Sequence, residues 1–231
     1  MTAPGNLSGI LELADWRRHV ADLYADVRRV SETDVPAALA LWRSTREVLY
    51  REHPSSPLPA DRRDAFRASH FGHDPRLRFE AEVVGSAAPA TAPATAPAAQ
   101  GPIDFGAPAS AADLPVSAGG TMSFRRIGHV DVPFPDGPQR LGVFWMAGYA
   151  GGLFIPFRDP TNGRETYGAG RYLVDAAKSA DLGGDPTRGT LILDFNFAYQ
   201  PSCAFDPKWA CPLAPPENLL DIPIRAGERL G

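Results

Sequence analysis

The stretch that decides the fold class runs from Phe124 to Gly163: FRRIGHVDV (Phe124–Val132), PDGP (Pro135–Pro138), RLGVFWM (Arg140–Met146), LFIPF (Leu153–Phe157) and DPTNG (Asp159–Gly163). Short apolar-rich runs alternate with Asp-Gly and Asn-Gly turn signals, the pitch and chemistry of antiparallel hairpins. They predict an antiparallel β-barrel or sandwich-like domain. No strand–helix–strand rhythm follows, which disfavours a doubly wound nucleotide fold. Gly151-Gly152 and Gly183-Gly184 fall between expected strands, without the strand-to-helix setting that a phosphate-binding loop needs.

Upstream the texture is helical. Leu13, Trp16, Val20, Leu23, Tyr24 and Val27 recur at the three-and-four spacing of one helix face, with Asp15, Arg17, Asp22 and Arg28 opposite. A second helix is expected from Thr33 or Asp34 as cap, with Pro36 in its first turn, through Leu39, Trp42 and Leu49; it ends before His53-Pro54. A short third helix is expected over Pro59–Ser69. The class is therefore mainly β with N-terminal helices (α+β). GSAAPATAPATAPAA over residues 85–99 alternates proline with small residues and reads as a flexible tether. The expected organisation is a helical segment over 1–58, a connecting region over 59–84 that packs on the β domain, a Pro/Ala-rich linker or loop insertion over 85–118, and a β domain over 119–231.

Hydrophobic content of 44%, charged content of 22% and a formal net charge of -4 are those of an ordinary globular chain. Arginines are interleaved with acids and form no basic stripe, so no nucleic-acid partner is expected. No apolar run is long enough for a membrane span, and the N-terminus lacks the basic and apolar regions of a secretory signal; the expected location is cytoplasmic.

The residues that can carry chemistry lie between Asp159 and Asn218. Read as one strand, residues 191–199 put Leu191, Leu193, Phe195, Phe197 and Tyr199 on a core face and set Asp194 and Asn196 side by side on the other. Such a polar pair faces water, a pocket or a structural hydrogen-bond network, since burying it unpaired costs about 1–3 kcal/mol per group. In residues 165–173, Glu165, Tyr167 and Arg171 share a face, and Gly168 and Gly170 leave room for a ligand or another backbone. The Arg171 fork suits a carboxylate or phosphate, whether a ligand's or that of Asp194. Cys203 and Cys211 stand seven residues apart in a proline-rich loop. They read as two buried residues pinning the loop, as a disulfide, or as a metal-binding or redox pair; the spacing is not the tight knuckle of a zinc site, and no His follows His129. Three prolines between Cys211 and Asn218 make a stiff segment that holds both residues in place.

These residues resemble a known family. The string from Phe157 to Leu173, the string from Leu193 to Phe205, the segment Cys211–Asn218 and the tail IRAGE (Ile224–Glu228) are similar to the signature of DUF1684, a domain of unknown function. The likeness is firm over residues 119–228 and weaker over 42–80. Gln200 stands where an Asn before Pro is familiar, and two helices replace a longer β-rich upstream region. The resemblance implies a fold neighbourhood and residues to test; it brings no activity.

Three readings follow. The leading one is a small, anionic molecule held in a polar pocket of Arg171, Tyr167, Asn196, Tyr199 and Asn218, beside Asp194, under a Cys203–Cys211 loop. A hydrolase-type reaction there would use Asp194, Glu165 or Cys203. The second is a non-catalytic structural or interaction module, dimerising through the first helix as a homodimer. The third is a metal protein using Cys203 and Cys211. No cofactor is expected.

Overall fold

The computed structural model describes residues 7–85, 111–149 and 151–231. The two expected helices are present: α1 (Leu7–Ser31) and α2 (Val35–Glu52). Asp34 caps α2 by accepting the Ala37 N–H at 2.9 Å, and the helix stops at His53, whose extended backbone leads into Pro54. The expected third helix reduces to one 3-10 turn over Ala60–Arg62.

Among the described residues eleven strands follow: β1 (Ser69–His70), β2 (Arg78–Glu82), β3 (Val84–Gly85), β4 (Ala111–Pro115), β5 (Thr121–Phe134), β6 (Gly137–Met146), β7 (Leu153–Phe157), β8 (Arg171–Asp175), β9 (Gly184–Asp185), β10 (Thr190–Asp194) and β11 (Glu228–Arg229). A six-stranded antiparallel sheet has the order β3-β5-β6-β7-β8, with β4 also on β5; β2-β10-β9 form a second sheet and β1-β11 a third. The large sheet is open: among the described residues no ladder joins β8 back to β3, so the barrel is not met. Pro135-Asp136 make the two-residue turn of the β5–β6 hairpin, with the Pro at the first central position and Gly137, at φ +121°, closing it. The expected linker over 85–118 needs correction at its ends. Gly85 belongs to β3 and residues 111–115 to β4, while 86–110 lie outside the described residues.

One β-bulge organises the core. In β5 the register shifts between Arg126 and Gly128. Phe124, before it, faces the helices with Phe144, Phe154 and Tyr172, whereas Val130 and Val132, after it, face the opposite way with Leu141, Val143 and Ile155. A single extra residue reverses which parity of the strand points to which side. Helices α1 and α2 cover the first face through Leu23, Val27, Leu39 and Trp42. The β2–β10 sheet covers the second through Ala81 and Leu193, joined by Phe195.

Candidate functional site

The strand expected over 191–199 ends at Asp194. Its Oδ1 accepts the Asn196 backbone N–H at 2.9 Å and the Asn196 Nδ2–H at 2.8 Å, and the chain turns through a 3-10 segment, Phe195–Phe197. This local side-chain-to-backbone bond outcompetes strand continuation. Phe195 then packs on one core cluster and Phe197 and Tyr199 on the other, so the five-residue stripe is split.

The expected site residues go to separate places. Arg171 is fully buried and pairs with Asp159, not with Asp194: its Nη2 donates to Asp159 Oδ2 at 2.9 Å and to the Ile224 carbonyl at 2.7 Å, and Nη1 donates to the carbonyls of Ala226 and Glu228. Asp194 is fully buried and accepts from Arg78 Nη1 at 3.0 Å. Asn196 exchanges two bonds with the Asp74 backbone, accepting its N–H at 2.9 Å and donating to its carbonyl at 2.8 Å. Asn218 mimics a peptide: Oδ1 accepts the Gly142 N–H at 2.7 Å, and Nδ2 donates to the carbonyls of Gly142 and Pro156 at 3.1 and 2.7 Å. Glu165 makes a surface pair with Arg225, which holds its carboxyl below the usual range through their hydrogen bonds. The room beside Gly170 belongs to backbone: an added Cβ would stand 2.5 Å from the Phe157 carbonyl oxygen, and φ is +102°. Arg171, Asp194, Asn196 and Asn218 are thus locks that hold irregular loops, each with its polar atoms turned to protein.

Tyr199 and Cys211 reach a different place. A cavity of 230 Å³ lies between α1, the end of α2 and the loop 199–211. Leu13, Trp16 and Val20 of α1 form one wall, and Trp209, Ala210 and Cys211 another. Trp209 is fixed by donating its indole N–H to the Pro57 carbonyl at 3.0 Å. At the floor is Arg46, whose guanidinium lies 4.9, 4.8 and 4.6 Å from the rings of Trp42, Tyr50 and Tyr199. Its Nη2 donates to Glu228 Oε1 and to the Tyr50 hydroxyl, both at 2.7 Å, and Glu228 Oε2 accepts the Gln200 N–H at 2.8 Å. Burial opposes the charge on Arg46, and the Glu228 carboxylate more than offsets it, so the guanidinium stays charged. Burial pushes the Tyr24 phenol up to about 12, so it stands in the cavity wall as a neutral hydroxyl. Tyr199 donates to Asp175 Oδ2 at 3.0 Å, and Lys178, at the rim, pairs with the same carboxylate at 3.2 Å.

Behind this wall sit the two thiols. The Cys203 N–H donates to Cys211 Sγ at 3.3 Å, and the side chains of Cys203 and Cys211 hydrogen-bond to each other, with Tyr167 bonded to Cys203. The bond from Cys211, against the opposing effect of burial, brings the Cys203 thiol down to about 6, while that same bond and burial push Cys211 up. Burial and the neighbouring thiol raise Tyr167 to about 12. Among the described residues the thiols have no third metal-competent side chain beside them; the one such group of three is Asp15, His19 and His53. There His53 Nδ1 accepts the Ser55 N–H at 3.0 Å, which places the imidazole proton on Nε2, facing Asp15 Oδ2 at 3.4 Å. That nitrogen offers a proton to the carboxylate, not a lone pair to a metal.

The sequence reading missed Arg46, Glu228 and Trp209. For Arg46 a signal exists: Leu39, Trp42, Arg46 and Leu49 share one helical spacing, so a single charge interrupts an otherwise apolar stripe. Nothing local marks Trp209, whose place depends on a loop without periodicity.

The fold and site define a class: an α+β protein of open antiparallel sheets, with ion-paired loop locks on one side and a helix-roofed cavity on the other. The family model described as "Protein of unknown function (DUF1684)" matches residues 67–229, and the chain belongs to that family. It is similar to an uncharacterized protein of Haloarcula marismortui solved by solution NMR, at 31% identity and a TM-score of 0.55, covering 84% of this chain and 93% of that one. No curated protein matches. The matched region holds Tyr199, Trp209, Cys211 and Glu228, while the α1 and α2 walls precede it. No helix among the described residues is long and apolar enough to cross a membrane.

Proposed function

We propose that the cavity beneath α1 binds a small anionic molecule with a flat, apolar body. One observation carries this reading: among the described residues its lining combines three cations, Arg17, Arg46 and Lys178, with the rings of Trp16, Tyr24, Tyr50, Tyr199 and Trp209, and includes no carboxylate. Glu228 and Asp175 balance Arg46 and Lys178 from behind, leaving the cavity face cationic and aromatic. Such a surface stacks a planar body and pairs with an anionic end. At 230 Å³ the cavity is below the roughly 300–1,000 Å³ of drug-sized sites, which favours a compact ligand. Binding is favoured over hydrolysis because Asp194 and Glu165 already have arginine partners, so neither is a free base. The test is titration with benzoate against benzyl alcohol, read by tryptophan fluorescence and melting temperature. Benzoate should shift both signals, benzyl alcohol should not, and Lys178→Ala should weaken the benzoate response. Equal responses to acid and alcohol would overturn the anionic assignment.

A second reading concerns partners. Leu7, Ile10 and Leu11 are 67%, 62% and 59% exposed and lie at helical spacing on the side of α1 away from Leu13, Trp16 and Val20. This outward stripe supports a homodimer through α1. Light scattering of wild type and of Ile10→Lys/Leu11→Lys tests it: a dimer that becomes a monomer is the expected result, and a wild-type monomer at all concentrations ends the reading.

A further inference from the structure

We propose that Cys203 and Cys211 form a peroxide-oxidisable dithiol, closing a reversible disulfide across the loop that walls the cavity. Three observations carry this. First, the two sulfurs are brought together from opposite ends of one loop. Cys203 donates its N–H to Cys211 Sγ at 3.3 Å, and its own sulfur lies three covalent bonds from that nitrogen. Second, the pair sits among hydroxyl groups, unlike an inert apolar filler. Tyr167 hydrogen-bonds Cys203, Ser117 Oγ accepts the Cys211 N–H at 3.0 Å, and the Tyr172 hydroxyl, beside Cys211, donates to the Pro212 carbonyl at 2.6 Å. A polar hydrogen on sulfur, as from Tyr167 to Cys203, stabilises a thiolate, which is the reactive form. Third, Cys211 lines the cavity and Ser202 beside Cys203 does too, so a molecule as small as hydrogen peroxide has a route to the pair. The lowered Cys203 thiol, beside a Cys211 that keeps its proton, is consistent with one thiolate and one thiol sharing a hydrogen bond.

The chemistry balances with peroxide as the oxidant. The thiolate attacks one peroxide oxygen, the O–O bond breaks, and the departing hydroxide takes a proton to become water. The second sulfur then displaces the hydroxyl of the resulting sulfenic acid, forming the S–S bond and releasing a second water. Two thiols lose two hydrogens, and one peroxide becomes two waters. Reduction by an external dithiol restores the starting state. The proposal needs only the cavity's opening to Cys211, so it stands or falls apart from the identity of the anionic ligand.

The sequence supplies a convenient assay, because Lys208 lies between the two cysteines. The purified full chain is treated with hydrogen peroxide, free thiols are blocked by alkylation under denaturing conditions, and the protein is digested with trypsin without reduction. The expected result is loss of two hydrogens in the intact mass, no alkylated cysteine, and a single joined species containing the two tryptic peptides on either side of Lys208. Dithiothreitol should separate them and restore both thiols. Cys203→Ser and Cys211→Ser should each gain oxygen without losing two hydrogens. Two alkylatable thiols after peroxide, or added oxygens in wild type without the joined peptides, would overturn the proposal. A disulfide linking two chains would overturn it as well. The wild-type measurement decides the matter even if a serine variant does not fold.

Discussion

Arg171 and Asp159 form an ion pair 2.9 Å long in which neither side chain is exposed to solvent. The pair joins the start of β8 to the loop after β7, and the other Nη hydrogens reach the tail through the carbonyls of Ile224, Ala226 and Glu228, while the Nε–H is buried without a partner. Asp159 in turn accepts the Thr161 N–H at 2.8 Å. The residue with the best anion-binding chemistry in the sequence thus holds the protein's own chain. Arg171→Met leaves Asp159 as an uncompensated buried charge and several carbonyls without donors, and should cost about 3–5 kcal/mol. Urea unfolding measures it. A loss below about 1 kcal/mol would show that the pair is not sealed.

Asn218 makes a second lock of a different kind, since it is neutral. Asn218→Ala removes partners from the Gly142 N–H and the Gly142 and Pro156 carbonyls, all inside the sheet, and should cost at least about 1–3 kcal/mol. Asn218→Asp should be worse than alanine despite its similar shape, because a carboxylate cannot donate to two carbonyls. Melting temperatures of the two variants, compared at neutral pH, give the order.

Much of this fold is legible in the sequence, and the reason is periodicity. The α1 face, the Asp34 cap and the Pro135-Asp136 turn follow from spacing and local chemistry, and each stands where it is expected. The locks are a different matter. Asp194 is separated from Arg78 by 116 positions and Arg46 from Glu228 by 182, so their pairing is set by tertiary placement that no local pattern encodes. The sequence marks Asp194, Asn196, Arg171 and Asn218 as candidates for binding or catalysis, and all four are buried with protein partners. It cannot say whether such a residue serves a ligand or a loop, because both uses demand the same donors and acceptors in a cramped space. The β10 stripe misleads for a local reason: Asp194 turns the chain by binding the Asn196 N–H, a bond available to any Asp two residues before a free amide.

His70 should make stability pH-dependent. Burial is the largest cause of a pKa lowered to about 4, and Nε2 is buried without a partner. The unfolded chain takes up a proton near pH 6.5, whereas the native site refuses it until about 4. Stability from this group is therefore complete above pH 6.5 and falls progressively as pH drops towards 4. Discounted for its partial exposure, the loss amounts to about 1–2 kcal/mol. His70→Phe, which keeps a ring near Trp42, should flatten the decline between pH 6.5 and 4 relative to wild type in urea titrations. An unchanged slope would remove His70 as its source.

The floor of the cavity gives the sharpest link between stability and binding. Arg46 is buried against three rings, and its charge is balanced by Glu228 Oε1 at 2.7 Å. Glu228→Gln keeps an oxygen to accept the Gln200 N–H but strips the guanidinium of its counter-charge. The variant should lose about 3–5 kcal/mol, the cost of an unpaired buried charge. Because Arg46 lines the cavity, an anion bound there can take the place of the missing carboxylate. Benzoate should therefore raise the melting temperature of Glu228→Gln more than that of wild type, while benzyl alcohol raises neither. Arg46→Met combined with Glu228→Leu supplies the control: with both charges gone, the protein should regain stability and lose its response to benzoate. If the anion stabilises all three proteins alike, Arg46 does not face the ligand. The binding end of the cavity would then lie at Arg17 and Lys178 instead.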